Sequence, residues 1–113
     1  PEMSRGLGDV YKRQVIRFDS QKEARRYDYL IERERRGEIR ELRLQVDFTL
    51  QEAYTDAEGR RVRAIRYRAD FTYYGAQGQK VVEDVKSRAT RTREYAVKKK
   101  LLKDRFGIDI TEV

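Results

Sequence analysis

The chain contains no cysteine, no histidine and no tryptophan, and its one proline is the first residue. Without cysteine there is no disulfide and no thiolate metal site. Without histidine there is no imidazole ligand and no Ser-His or Cys-His nucleophile pair. No apolar run approaches the roughly 18 residues that a membrane span needs. Nothing in the first residues resembles a charged, apolar, small-residue secretory signal. Acid–base or metal chemistry therefore falls to carboxylates, lysine, tyrosine, hydroxyls and backbone groups.

Charge, by contrast, is abundant. Of 113 residues, 42% are charged, with 27 basic against 20 acidic and a net charge of +7; about 25% charged is usual. The hydrophobic fraction is 38%, with eight tyrosines and four phenylalanines, enough for one modest core. The positive excess favours a polyanionic partner through counterion release and steering. A basic but inert surface is the plainer reading of the same number. Residues 4–14 (SRGLGDVYKRQ) resemble the in-frame translation of a transposon-based sequencing adapter. Residues 1–14 are accordingly expected to stand outside the fold, with the natural sequence beginning near Val15 and its own start missing. Without them 24 basic and 18 acidic residues remain, so the basic character survives.

Residues 18–39 (FDSQKEARRYDYLIERERRGEI) read as a helix with both ends marked. Ser20 and Glu23 have capping-box spacing, with Phe18 upstream as apolar packing. Ala24, Tyr27, Leu30 and Ile31 form one buried stripe, and Gly37 supplies a left-handed stop after an arginine-rich last turn. Residues 39–44 and 46–54 alternate with period two, as one bent strand or two short ones. TDAEGR, with Gly59, reads as a hairpin turn. Over 62–74, Ile65, Tyr67, Ala69, Phe71 and Tyr73 share one face; Arg66, Arg68, Asp70 and Thr72 share the other. GAQGQ is a second turn before a short strand at 80–86. A basic loop, a helix over 93–105 ended by Gly107, and a strand carrying Ile108, Ile110 and Val113 complete the chain. Strand, crossover helix and strand suggest a parallel pair. The order α-β-β-β-α-β is an α+β layout with helices on a mixed sheet, and residues 15–113 are expected to form a single domain.

Three acids stand where a structural sequence has no need of them. Asp70 lies near the end of a long strand, opposite the aromatic face. Asp84 and Lys86, two residues apart on the next strand, project from one face. Glu23 shares the helix stripe with Tyr27 and Leu30. If the GAQGQ turn makes the two strands neighbours, Asp70 comes beside Asp84, and the repulsion between them is relieved by a divalent cation. With hard oxygen ligands alone, that cation would be Mg²⁺ or Mn²⁺, and phosphodiester hydrolysis is the chemistry it suits. Lys86 would orient or deprotonate the attacking water, or neutralise charge on the phosphate. A solvated charged face is the plainer alternative, and for Glu23 helix capping is a sufficient one.

The blocks FDSQKEARRY, GEIRELRLQVDFTL, RYRADFTYY, VVEDVK and TREYAVKKKLL with FGIDITEV resemble a family of small phage and prophage proteins placed by pattern with the PD-(D/E)xK nucleases. Some members are named as bacteriophage endonuclease I, a Holliday-junction resolvase. The likeness runs from about Ile16 to Val113. It implies a restriction-endonuclease-like core and a Mg²⁺-dependent DNA endonuclease, encoded by phage or prophage, working in the host cytoplasm and acting on DNA that is branched or bound without sequence specificity. A non-catalytic nucleic-acid-binding adaptor of the same fold is the alternative, and a single-strand exonuclease a weaker third. Under the resemblance, Asp70 matches the first metal-binding acid, Asp84 and Lys86 the (D/E)xK acid and lysine with Val85 between them at the metal, and Glu23 the helix glutamate. Ala69 stands where the motif often has proline. Glu83, next to Asp84, falls on the opposite strand face. Arg88, Arg91 and Arg93, with Lys98, Lys99 and Lys100, would track phosphates; a solubilising face is the plainer reading of each. Tyr73 and Tyr74 would either stack on a base or fill core. Junction-cutting enzymes commonly act as dimers, which admits a homodimer here.

Overall fold

The computed structural model describes residues 2–4, 15–86 and 92–113. The fold is α+β: a four-stranded mixed sheet with a helix on each face. Strand β1 (Glu2–Ser4) pairs antiparallel with β2 (Val15–Arg17). The segment expected to stand outside the fold thus contributes one short ladder at its outer end, made of backbone groups that ask little of side chains. The rest of that segment lies outside the described residues.

Helix α1 (Gln21–Arg35) begins where the capping residue predicts: the Ser20 hydroxyl accepts the Glu23 backbone N–H at 3.1 Å. It ends at Gly37, φ 76°, where the Gly37 N–H bonds the Glu34 carbonyl and the Glu38 N–H bonds the Arg33 carbonyl, both at 3.0 Å. This is the paired closure that a left-handed glycine allows. Strand β3 (Arg40–Gln51) is one bent strand, which resolves the alternative left open above. Strands β4 (Tyr54–Thr55) and β5 (Arg61–Val62) form a small hairpin around the TDAEGR turn. Strand β6 (Ile65–Tyr74), β7 (Lys80–Asp84), helix α2 (Arg93–Phe106) and β8 (Ile110–Glu112) follow. The main sheet runs β3-β6-β7-β8, with β7 and β8 parallel as the crossover through α2 demands. Leaving aside the small hairpin and the β1–β2 ladder, this is the order read from the sequence, and it is consistent with a restriction-endonuclease-like core.

The core divides in two. Phe18, Ala24, Tyr27 and Leu30 pack with Phe71 and Tyr73; Leu50, Tyr67 and Ala69 pack with Val82, Leu102 and Ile110. Val81 belongs to the first group and Val82 to the second, so α1 and α2 cover opposite faces of the sheet. Tyr67, Ala69, Phe71 and Tyr73 share one parity yet divide between the two clusters, and the division falls at Asp70. Across the ladder, between the pairs Leu44↔Phe71 and Val46↔Ala69, lies Gln45 with φ 54°. That left-handed residue marks where regular alternation breaks. Thr72, expected on the polar face, is instead buried, because its cross-strand partner Val82 lies under α2. No helix among the described residues is long and apolar enough to cross a membrane.

Candidate functional site

The break in alternation places the acids. The register Phe71↔Glu83 continues to put Asp70 beside Asp84 at the open end of β6 and β7. Glu23 reaches the same place from the first turn of α1. All three line one cavity of about 560 Å³, together with Gln45, Tyr67, Val85, Lys86, Tyr95 and Lys98.

Each acid has a partner that fixes it. Asp70 Oδ2 accepts the Val85 backbone N–H at 2.7 Å. Asp84 Oδ2 accepts the Tyr67 hydroxyl at 2.6 Å, and its Oδ1 lies 3.2 Å from the Lys86 ammonium. Glu23 Oε1 accepts the Gln45 amide at 2.8 Å. Ser20 caps the helix, as the plainer reading held, but the Glu23 carboxylate faces the acids rather than the solvent. Lys86 is buried, its ammonium 3.7 Å from the centroid of the Tyr95 ring. Its backbone is pinned on both sides: the N–H bonds the Val113 carbonyl at 3.0 Å, and its carbonyl accepts from Lys22 Nζ at 2.6 Å. Glu83 takes the other face, as alternation predicts. Fully buried, it receives a two-pronged hydrogen bond from Arg26 at 2.8 and 2.7 Å and another from the Tyr73 hydroxyl.

The electrostatics follow from crowding like charges in a half-closed space. Burial, then the carboxylates of Asp70, Asp19 and Asp84, push Glu23 up to about 7, against a lowering by the Asp19 backbone. Burial pushes Asp70 up to about 6; the Val85 N–H opposes it, Asp84 adds to it and Lys86 reduces it. Burial and the bond to Asp84 also push the Tyr67 hydroxyl up. Both carboxyls hold protons in the folded chain at pH values where the unfolded chain has lost them. Their contribution to stability is therefore fully present below about pH 4 and is lost as pH rises through about 6 and 7. In EDTA, melting temperature is expected to fall between pH 5 and pH 8. Discounted for the water that reaches the open cavity, the effect is about 1 kcal/mol, some 4–8 °C. Glu23→Gln should flatten the trend; a Glu23→Gln melt that follows the unsubstituted profile would show that Glu23 does not titrate here.

Among the predicted phosphate contacts, Lys98 lines the cavity and pairs with Glu94 at 3.1 Å. Lys99 pairs with Glu112 at 3.2 Å; Arg93 and Lys100 are exposed, and none of the three lines the cavity. Arg88 and Arg91 lie outside the described residues. Tyr73 is core, and Tyr74 lies between Arg40 and Lys80, away from the acids. Sequence reasoning missed Gln45, Tyr67, Lys22 and Tyr95. Gln45 carried no signal, because Leu42, Leu44, Val46, Phe48 and Leu50 keep one unbroken parity through it; Tyr67 read as an ordinary core aromatic.

The family model described as "Protein of unknown function (DUF1064)" matches residues 10–111. No curated protein and no solved structure matches the chain.

Proposed function

The chain belongs to the DUF1064 family, and we propose that it is a divalent-metal-dependent DNA endonuclease that hydrolyses phosphodiester bonds, with branched DNA as its substrate. The observation that carries this reading is the meeting of Asp70, Asp84, Glu23 and Lys86, from two strands and a helix, in one cavity on a basic domain.

The donor set fits a hard cation: carboxylates of Asp70, Asp84 and Glu23 with the backbone of Val85, and no sulfur or imidazole. Burial first, and the repulsion among the acids after it, raises Glu23 and Asp70, and the repulsion is what a cation relieves. Among the described residues no three acidic side chains are yet drawn around a single point; Lys86, Tyr67 and Gln45 hold them instead. Bound there, Mg²⁺ or Mn²⁺ would neutralise phosphate charge and make water more acidic. The protein's own groups do the rest. Val85 and Tyr67 each hold one oxygen of Asp70 and Asp84, which orients the other toward the cavity. Gln45 keeps Glu23 on the same side. Lys86 brings its ammonium into a partly dry site, where it stabilises charge developing on the phosphate. Lys22 and Lys98 at the rim attract the backbone.

One observation favours a second reading, a DNA-binding adaptor that does not cut. The Lys86 ammonium already sits beside Asp84 as an internal cation. The test incubates the chain with a labelled four-way junction and its matched linear duplex, in Mg²⁺, Mn²⁺ and EDTA. Cutting that requires metal and prefers the junction is expected. Binding without cutting in either metal would leave the adaptor.

A further inference from the structure

A second cavity, of about 310 Å³, opens on the outer flank of α1. It is lined by Lys22, Arg25, Arg26 and Tyr29 of the helix, with Val85 and Val113. Lys22 and Val85 line the acidic cavity too, so the two spaces share a wall. Arg25 and Arg26 are neighbours, and each stands three or four residues from both Lys22 and Tyr29, so the four form one broad stripe. No acid lines this space. Glu83 reaches the stripe from beneath and holds Arg26 against the sheet. Arg25 is exposed, and Lys22 spends one N–H on the Lys86 carbonyl, which leaves two.

Tyr29 is the feature that core packing does not explain. Ala24, Tyr27 and Leu30 already make the buried stripe of α1, yet Tyr29 stands 52% exposed on the neighbouring flank. The Arg26 guanidinium lies 4.7 Å from the centre of its ring, and that of Arg33 lies 5.6 Å away. A half-exposed ring beside fixed cations is suited to the face of a nucleobase, while Lys22 and Arg25 are suited to its phosphate. A base inside a duplex has both faces covered by its neighbours and offers none to Tyr29. An unpaired nucleotide offers both.

We propose that this cavity is a subsite for an unpaired nucleotide, its base on Tyr29 and its phosphate on Lys22 and Arg25. The substrate is then branched DNA in which a nucleotide at the branch point comes unpaired beside the cut. The course of the strand from one cavity to the next rests on the nuclease reading; the stacking subsite itself does not.

The test is made in EDTA, where no cleavage intervenes, with a short fluorescein-labelled single strand and a blunt duplex of the same sequence. By anisotropy, Tyr29→Ala should weaken single-strand affinity about tenfold and duplex affinity less than about twofold, and Tyr29→Phe should restore the loss. Arg25→Ala should weaken both and lower the salt slope by about one. The chain has no tryptophan, so Tyr29→Trp places a sole reporter whose emission the single strand should quench and the duplex should not. An unchanged single-strand affinity in Tyr29→Ala, an equal loss on both ligands, or no quenching would overturn the subsite. Tyr29 is exposed, so these variants should fold; circular dichroism checks it. Stacking without cleavage in any metal would sink the nuclease reading and keep the subsite. Metal-dependent cutting with Tyr29→Ala unaffected in binding would do the reverse.

Discussion

Asp84→Asn and Lys86→Ala are each expected to lower metal-dependent cleavage of a four-way junction by about 10²–10³-fold or more, and to part company in metal binding. Asp84 offers a carboxylate beside Asp70, and replacing it with an amide removes charge where the proposed cation would sit. Calorimetric titration with Mn²⁺, without DNA, should therefore lose its heat in Asp84→Asn. Lys86 stands in the opposite relation to the metal. Its ammonium lies 3.2 Å from Asp84 Oδ1 in a nearly dry setting and competes with any cation for that oxygen. Lys86→Ala should keep the heat and bind Mn²⁺ more tightly, although it no longer cuts. The frame of the site survives this change, because the contacts of residue 86 with Lys22 and Val113 are made by its backbone. Should Lys86→Ala lose metal affinity along with cleavage, Lys86 would be a strut of the site rather than a group that meets the phosphate.

How much of this was legible beforehand depends on the range of the interaction. Ser20, Gly37 and Gly107 mark helix ends by chemistry confined to one turn, and all three do so in the structure. The parity of β7 was enough to send Glu83 and Asp84 to opposite faces. The meeting of Asp70 with Asp84 required only a hairpin register. What stayed hidden depends on a third element. Nothing in β6 alone tells that Thr72 is buried, since α2 returns from thirty residues later to cover its partner Val82. Gln45 reaches Glu23 only because a left-handed residue breaks β3, and a glutamine in that conformation has no sequence signature. Tyr67 shares the parity of four core residues, and only the switch of cluster at Asp70 turns its hydroxyl to Asp84. The acids, Val85 and Lys86 were therefore readable as a set, while Tyr67 and Gln45, which hold Asp84 and Glu23, were not.

The same principle predicts a large stability effect at Glu83, the acid next to the site that is not part of it. Glu83 has no exposed surface, whereas the Arg26 side chain keeps about a quarter of its own. A buried carboxylate robbed of its cation costs roughly 3–5 kcal/mol, and the Tyr73 hydroxyl that still donates to Glu83 holds the effect near the lower bound. Arg26→Met should therefore lower stability by about 3 kcal/mol, or some 12 °C or more in Tm for a domain of this size. Methionine keeps most of the apolar stem, so lost packing contributes little. Adding Glu83→Met and Tyr73→Phe removes all three polar partners together, and should recover most of the loss, since a matched apolar set carries no desolvated charge. Thermal melts of the single and triple variants decide it. A triple variant no more stable than the single would mean that the cost lies in the shape of this layer and not in a stranded charge. Glu83 would then serve packing between α1 and the sheet, and Arg26 would be free to act chiefly at the flank of α1.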